Sequence, residues 1–241
     1  MPVSRWRTAI CVLLAAASVT MLAWASWPPP RATGELAISQ RRVAEDLFDP
    51  QSGFPNAPPS SGDASEIESF TVSLNYPTQM RVGDSWRVWL HVSPPTDTAV
   101  GSAPTTEEAR LQEALKTERL VAEARLELPG ADVRPREAVN QYASSGRAAD
   151  FVWSAVLAEP IEARGTVWLS LIVKDAQSGQ QSRATISAQP METRGATVLG
   201  LSGPMARAVA GLGILAAGVI GFPLAANMIG RLSAPANDQS K

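Results

Sequence analysis

The sequence predicts a mainly β protein: a single immunoglobulin-like antiparallel β-sandwich flanked by an N-terminal and a C-terminal transmembrane helix. Three observations carry that prediction. Residues 208–229 form an apolar run without a charge, long enough for a bilayer core, which about 20 residues span. A second apolar run, residues 9–27, stands near the other end. Between them, from residue 67 on, apolar side chains recur at every second position. That is the period of a strand with one buried face, and Pro or Gly interrupts several of the runs.

In chain order, Arg5 and Arg7 precede the first run. Residues 1–27 read as a signal anchor that stays as a transmembrane helix. Ala23-Trp24-Ala25 also has the small-x-small form of a signal-peptidase site, so a cleaved signal peptide is the alternative. The length of the run and the interfacial Trp24 and Trp27 favour retention. Lys and Arg collect on cytoplasmic flanks. The chain is therefore expected to emerge on the extracytoplasmic side after Trp27 and to re-enter through 208–229. It then ends in a cytoplasmic tail, 230–241, with Arg231 and Lys241. Arg31 and Arg207 flank the outer ends and run against the rule. Pro223 should kink the second span.

Residues 28–65 read as a Pro-rich linker. Pro28-Pro29-Pro30 makes a stiff extended exit, residues 34–48 hold a possible short helix with Leu36, Val43 and Leu47, and residues 49–65 are rich in Pro, Gly, Ser and Asp. The sandwich is assigned to residues 66–190. Phe70, Val72 and Leu74 alternate with polar residues. Trp86, Val88, Leu90 and Val92 form a second inward set, opposite Arg87 and His91. A helical insertion is expected at 105–117, opened by the capping box Thr105-x-x-Glu108. Leu120 to Leu128, Phe151 to Leu157, and Val167 to Val173 alternate clearly, and a turn is expected at residues 175–179. Residues 131–148 read as irregular. Ala184, Ile186 and Ala188 form a weaker last strand, and residues 191–207 read as a juxtamembrane linker. Without the cysteine pair of antibody domains, Trp86 or Trp153 has to fill the centre of the core. The segments FVWS and GTVWLSLIV resemble the closing strands of bacterial immunoglobulin-like modules, which implies the sandwich and no particular activity.

Composition excludes several functions. The chain has 21 Lys+Arg against 23 Asp+Glu and a net charge of −2, without the basic excess of a nucleic-acid binder. The single cysteine, Cys11, lies inside the first apolar run, so the middle region is expected to fold without disulfides. No nucleotide-binding glycine loop or nucleophile elbow is present. His91 is the one histidine; alone it makes a poor zinc site, and a Ser–His–Asp arrangement has only His91 to use. The acidic residues around Glu107, Glu108, Glu113, Glu118, Glu123 and Glu127 interleave with Arg110, Lys116, Arg119 and Arg125, as on a solvated face. Catalytic, cofactor and metal residues are thus expected to be absent.

Two features point to binding. Trp89 and Trp168 fall opposite the core set of their strands and, with Val152, Val156 and Ile172, suggest an apolar outer patch. The alternative is that the 105–117 helix covers that face with Leu111 and Leu115. Gly213, Ala217 and Gly221 recur every fourth residue in the second span and let another helix approach closely, either the first span or a partner's. The expectation is a non-enzymatic protein of the bacterial plasma membrane with a periplasmic β body. It would act as an accessory or scaffold subunit with protein partners in the membrane or envelope, and bind no cofactor and no nucleic acid. An extracytoplasmic ligand-binding receptor is the alternative, and a hydrolase a weaker one.

Overall fold

The computed structural model describes residues 3–48, 69–94, 106–117, 120–144, 147–174 and 181–232. The segment 49–65 expected as a linker, Thr105 of the capping box and the turn at 175–179 lie outside them. The described chain is mainly β, with two sheets and two apolar terminal helices. It divides into two units.

The larger unit comprises residues 29–80 and 85–195. Its first sheet has the order β1-β2-β4-β8-β6 and its second β3-β10-β9-β5-β7. The strands of the first are β1 (Arg31–Ser39), β2 (Ser69–Pro77), β4 (Ser85–Ser93), β8 (Ala149–Leu157) and β6 (Ala131–Arg134). Those of the second are β3 (Gln79–Arg81), β10 (Gln181–Ala196), β9 (Glu162–Lys174), β5 (Leu120–Glu127) and β7 (Val139–Ala143). The pairs β1–β2, β2–β4, β4–β8, β9–β10 and β5–β9 are antiparallel. Alternation explains the burial. Val88, Leu90 and Val92 of β4 face Phe151 and Trp153 of β8 and Leu169 and Leu171 of β9 in one core. Trp153 fills the centre, fully buried, with its ring stacked on Phe151 at 6.2 Å, while Trp86 packs at the margin.

The structure differs from the sequence reading at several places. Residues 31–39, expected in the linker, form β1 and pair along their whole length with β2. Only 40–48 are helical (α2, Gln40–Phe48). The pattern of β1 is faint because an edge strand is exposed on most sides; its run from Thr33 to Ala37 faces solvent. Residues 131–134 and 139–143, expected to be irregular, are the edge strands β6 and β7. The last strand continues to Ala196, past the expected limit at 190. Its register slips by one residue between Thr185 and Ser187. A slip by one residue exchanges the faces, so Ser187, Gln189, Met191 and Thr193 point inward and Ala188 outward. The helix α3 (Thr106–Lys116) packs on α2, and its Leu111 and Leu115 join Val43, Ala44 and Leu47 in the core.

The smaller unit comprises residues 1–28, 81–84 and 196–241. Helix α1 (Val3–Ser26) packs on helix α4 (Gly203–Leu232), whose backbone stays helical through Pro223.

Candidate functional site

The two helices of the smaller unit meet along a seam of small residues. On α4, Gly203, Ala206, Ala210 and Ala217 are buried and Gly213 and Gly221 half-buried, spaced three or four apart. On α1, Ser18 and Ala25 are buried and Cys11 half-buried, seven apart. This 3.5-residue period keeps one face turned to a partner helix, and small side chains let the backbones come close. A Cβ at Gly213 would run into the Ser18 hydroxyl, and one at Gly221 would stand 3.0 Å from the Cys11 sulfur. The Cys11 thiol donates to the Ala217 carbonyl at 3.1 Å. The Gly213/Ala217/Gly221 face is therefore occupied within the chain. Of the two occupants that the spacing allowed, the first span is the one that meets this face here. The large apolar side chains, including Leu13, Val19, Leu212, Leu215 and Phe222, point outward.

The end of this helix pair carries an ionic cluster that sequence reasoning missed. The carbonyls of the last helical turn have no partner inside the helix. At the end of α1 they are met by arginines: Arg81 donates to the carbonyls of Trp24 (3.0 Å) and Trp27 (2.7 Å), and Arg207 to that of Ala25 (3.2 Å). Both arginines hold Asp84, Arg81 through Nε at 3.1 Å and Arg207 through both terminal nitrogens at 3.0 and 2.5 Å. The Arg81 guanidinium also lies 5.7 Å from the centre of the Trp24 ring. Asp84 sits beside Gly203, the first residue of α4, where any Cβ would meet its carboxylate at 2.6 Å. Positive groups at a helix C-terminus and a negative one at a helix N-terminus suit both dipoles. Burial raises the Asp84 carboxyl, but the hydrogen bonds from Arg207 and Arg81 outweigh it and hold the group below its ordinary range. Arg207, which runs against the charge rule for its flank, is here neutralised by Asp84.

In the larger unit the two tryptophans are separated. Trp89 lies on β4 in the first sheet and Trp168 on β9 in the second, so they form no common patch. Each faces outward on its own sheet, and strands of different sheets share no outer face. The α3 helix covers neither, because its apolar stripe is spent on α2 and the core. Trp89 is roofed by Arg31, whose guanidinium carbon is 4.2 Å from the ring centre. Arg31 is fixed there by Asn75 (2.8 Å) and the Arg87 carbonyl (3.0 Å). Trp168 remains 40% exposed, its indole N–H donating to Glu127 at 3.2 Å.

His91 is exposed on the outer face of the first sheet. Its Nδ1 lies 2.6 Å from Asp150 Oδ1 and its Nε2 3.0 Å from Ser93 Oγ. The strand period placed His91 on the outer face; Ser93 went unread, and Asp150 needed the β4–β8 register, which only the fold supplies. The glutamates of β5 are paired, Glu123 with Arg183 and Glu127 with Arg125. Among the described residues, no three His, Cys, Asp or Glu side chains are grouped to hold a metal ion.

No protein-family model and no curated protein matches this chain. A solved structure described as WR4, an MSP family member of C. elegans, is similar over 50% of this chain and 94% of that one, at 8% identity and a TM-score of 0.27. A likeness that distant carries no functional argument.

Proposed function

We propose that this chain is a membrane-anchored sandwich of immunoglobulin-like type, an accessory or scaffold subunit of a bacterial membrane or envelope complex, with its β body on the extracytoplasmic side. The observation that supports this most is the helix pair. Two helices, at residues 6–26 and 203–222, are long and apolar enough to cross a bilayer, and only 11% and 17% of them is buried within the protein. The core helix of a water-soluble protein is mostly buried, whereas lipid is the solvent that suits large apolar side chains turned outward. The small-residue seam supports anchoring by a hairpin. With that seam closed in cis, partner contacts fall to the lipid-facing sides of the helices and to the β body.

Alkaline carbonate washing should leave the chain in the membrane fraction. Protease added to spheroplasts should remove the β body and spare the tail. Detergent extraction should yield a stoichiometric protein partner; a lone 25.5 kDa chain would count against the accessory role. The receptor reading rests on Trp168, the tryptophan of the two that stays open to solvent. It expects tryptophan fluorescence to respond to an envelope glycan, peptide or lipid, and to stop responding in Trp168→Ala.

A further inference from the structure

We propose that Ser93 is a nucleophile, with His91 as its general base and Asp150 as the residue that positions the imidazole, and that this trio takes acyl groups from activated esters. This goes beyond the anchoring role and adds a reactive serine to a chain whose sequence reads as non-enzymatic.

The argument begins at the imidazole. Its two nitrogens are held by chemically different partners: the Asp150 carboxylate at Nδ1, 2.6 Å away, and the Ser93 hydroxyl at Nε2, 3.0 Å away. A carboxylate accepts only, so it fixes the tautomer with hydrogen on Nδ1 and leaves the Nε2 lone pair facing the hydroxyl. That is the order in which a carboxylate, an imidazole and a serine cooperate in acyl transfer. The backbone sets the geometry. His91 and Asp150 are direct cross-strand partners on β4 and β8, and Ser93 follows His91 by two residues on the same face. Asp150 is further pinned by Gln141, whose side-chain oxygen accepts from the Asp150 N–H at 3.0 Å and whose amide donates to the Asp150 carbonyl. Thr71, the cross-strand partner of Ser93, puts a second hydroxyl on that face, a donor type suited to a developing oxyanion.

The side chains of His91 and Asp150 are 47% and 70% exposed. Exposed ion pairs contribute little to stability, so the fold does not require this arrangement, and a substrate reaches it from solvent. In the first step the Ser93 O–H bond breaks, its proton passes to Nε2, and Oγ bonds to the acyl carbon. The ester C–O bond then breaks, and the alcohol leaves with the proton from Nε2. Water repeats the sequence at the acyl carbon, releasing the carboxylic acid and restoring Ser93.

The test uses the full chain in detergent, treated with a fluorophosphonate probe and read by peptide mass spectrometry, with hydrolysis of p-nitrophenyl acetate as a second readout. The expected result is an adduct on Ser93. His91→Ala and His91→Gln should slow labelling by about a hundredfold, the usual contribution of a general base. Asp150→Asn, which keeps the shape and loses the tautomer control, should slow it, and Asp150→Glu should recover part of the rate. Unchanged far-ultraviolet circular dichroism confirms that each variant folds. An unlabelled Ser93, or labelling in the His91 variants as fast as in the wild type, overturns the proposal.

Discussion

At the scale of single residues, Asp84 has the largest expected effect. It is one carboxylate between two arginines, and its side chain and that of Arg81 are only 10% and 11% exposed. Removing one member of such a cluster strands the others in poorly solvated surroundings, a loss of about 3 kcal/mol. Asp84→Asn should therefore lower the thermal midpoint of the detergent-solubilised chain. The pH dependence follows from the direction of its shift. Its folded value lies below the unfolded one, so its stabilisation is complete above the ordinary carboxylate range and is lost as pH falls through the folded value. The wild-type midpoint should drop on acidification more steeply than that of Asp84→Asn; parallel curves would refute the assignment. Trp153 and Trp168 make a second contrast. Trp153→Ala empties the centre of the core and should cost about 3–5 kcal/mol, whereas Trp168→Ala on the outer face should stay within about 0.5 kcal/mol, both read by denaturant unfolding. The outward placement of His91 and the central place of Trp153 were legible from alternation. Asp84 was not: in the sequence it is a turn residue after Val82-Gly83, and its partners lie 3 and 123 positions away.

At the scale of elements, legibility followed burial. Strands with one face in the core, β4, β5, β8 and β9, carry the period in their own residues. Edge strands β1, β6 and β7 bury less and so leave a weaker imprint. The strand β10 shows a different limit. Its apolar positions Ala184, Ile186 and Ala188 suggest one phase, and the slip at Thr185/Ser187 imposes the other beyond it, which buries Ser187 and Thr193 with hydroxyls that lack a partner among the described residues. Partner contacts across the sheet decide such a slip, and a single strand does not contain them. In the helix pair, four-residue spacing revealed the small-residue face but not its occupant. The neighbouring glycines separate packing from composition. Gly213→Leu should part the helices and lower the thermal midpoint, because its Cβ would strike Ser18. Gly218→Leu, with nothing within 4 Å of its Cβ, should leave the midpoint unchanged or raise it, since helix propensity adds up to about 1 kcal/mol of stability. Equal losses at both positions would mean that the seam does not hold the pair.

At the scale of the whole molecule, the arrangement bears on whether α1 survives in the mature chain. The small-x-small sequence Ala23-Trp24-Ala25 lies within the helix, with Ala25 only 1% exposed and its carbonyl bonded to Arg207. A cut there would take the Trp24 carbonyl from Arg81 and the Ala25 carbonyl from Arg207 and bare the seam on α4. Intact-mass measurement of membrane-extracted protein should therefore include residues 3–26; a chain beginning at Ser26 would exclude the anchor. The division into apolar ends and an alternating middle was legible from hydropathy alone. That the loop 81–84 groups with the helices was not, because it joins segments far apart in the chain.

The thiol of Cys11 gives this hairpin a native gauge of its own integrity. While the sulfur is engaged with the Ala217 carbonyl, a lipid-soluble maleimide should react with it slowly. Any event that pries the two spans apart, whether a variant, a detergent or an assembling neighbour, should quicken that alkylation, so that one unmodified cysteine reports the opening without an added label.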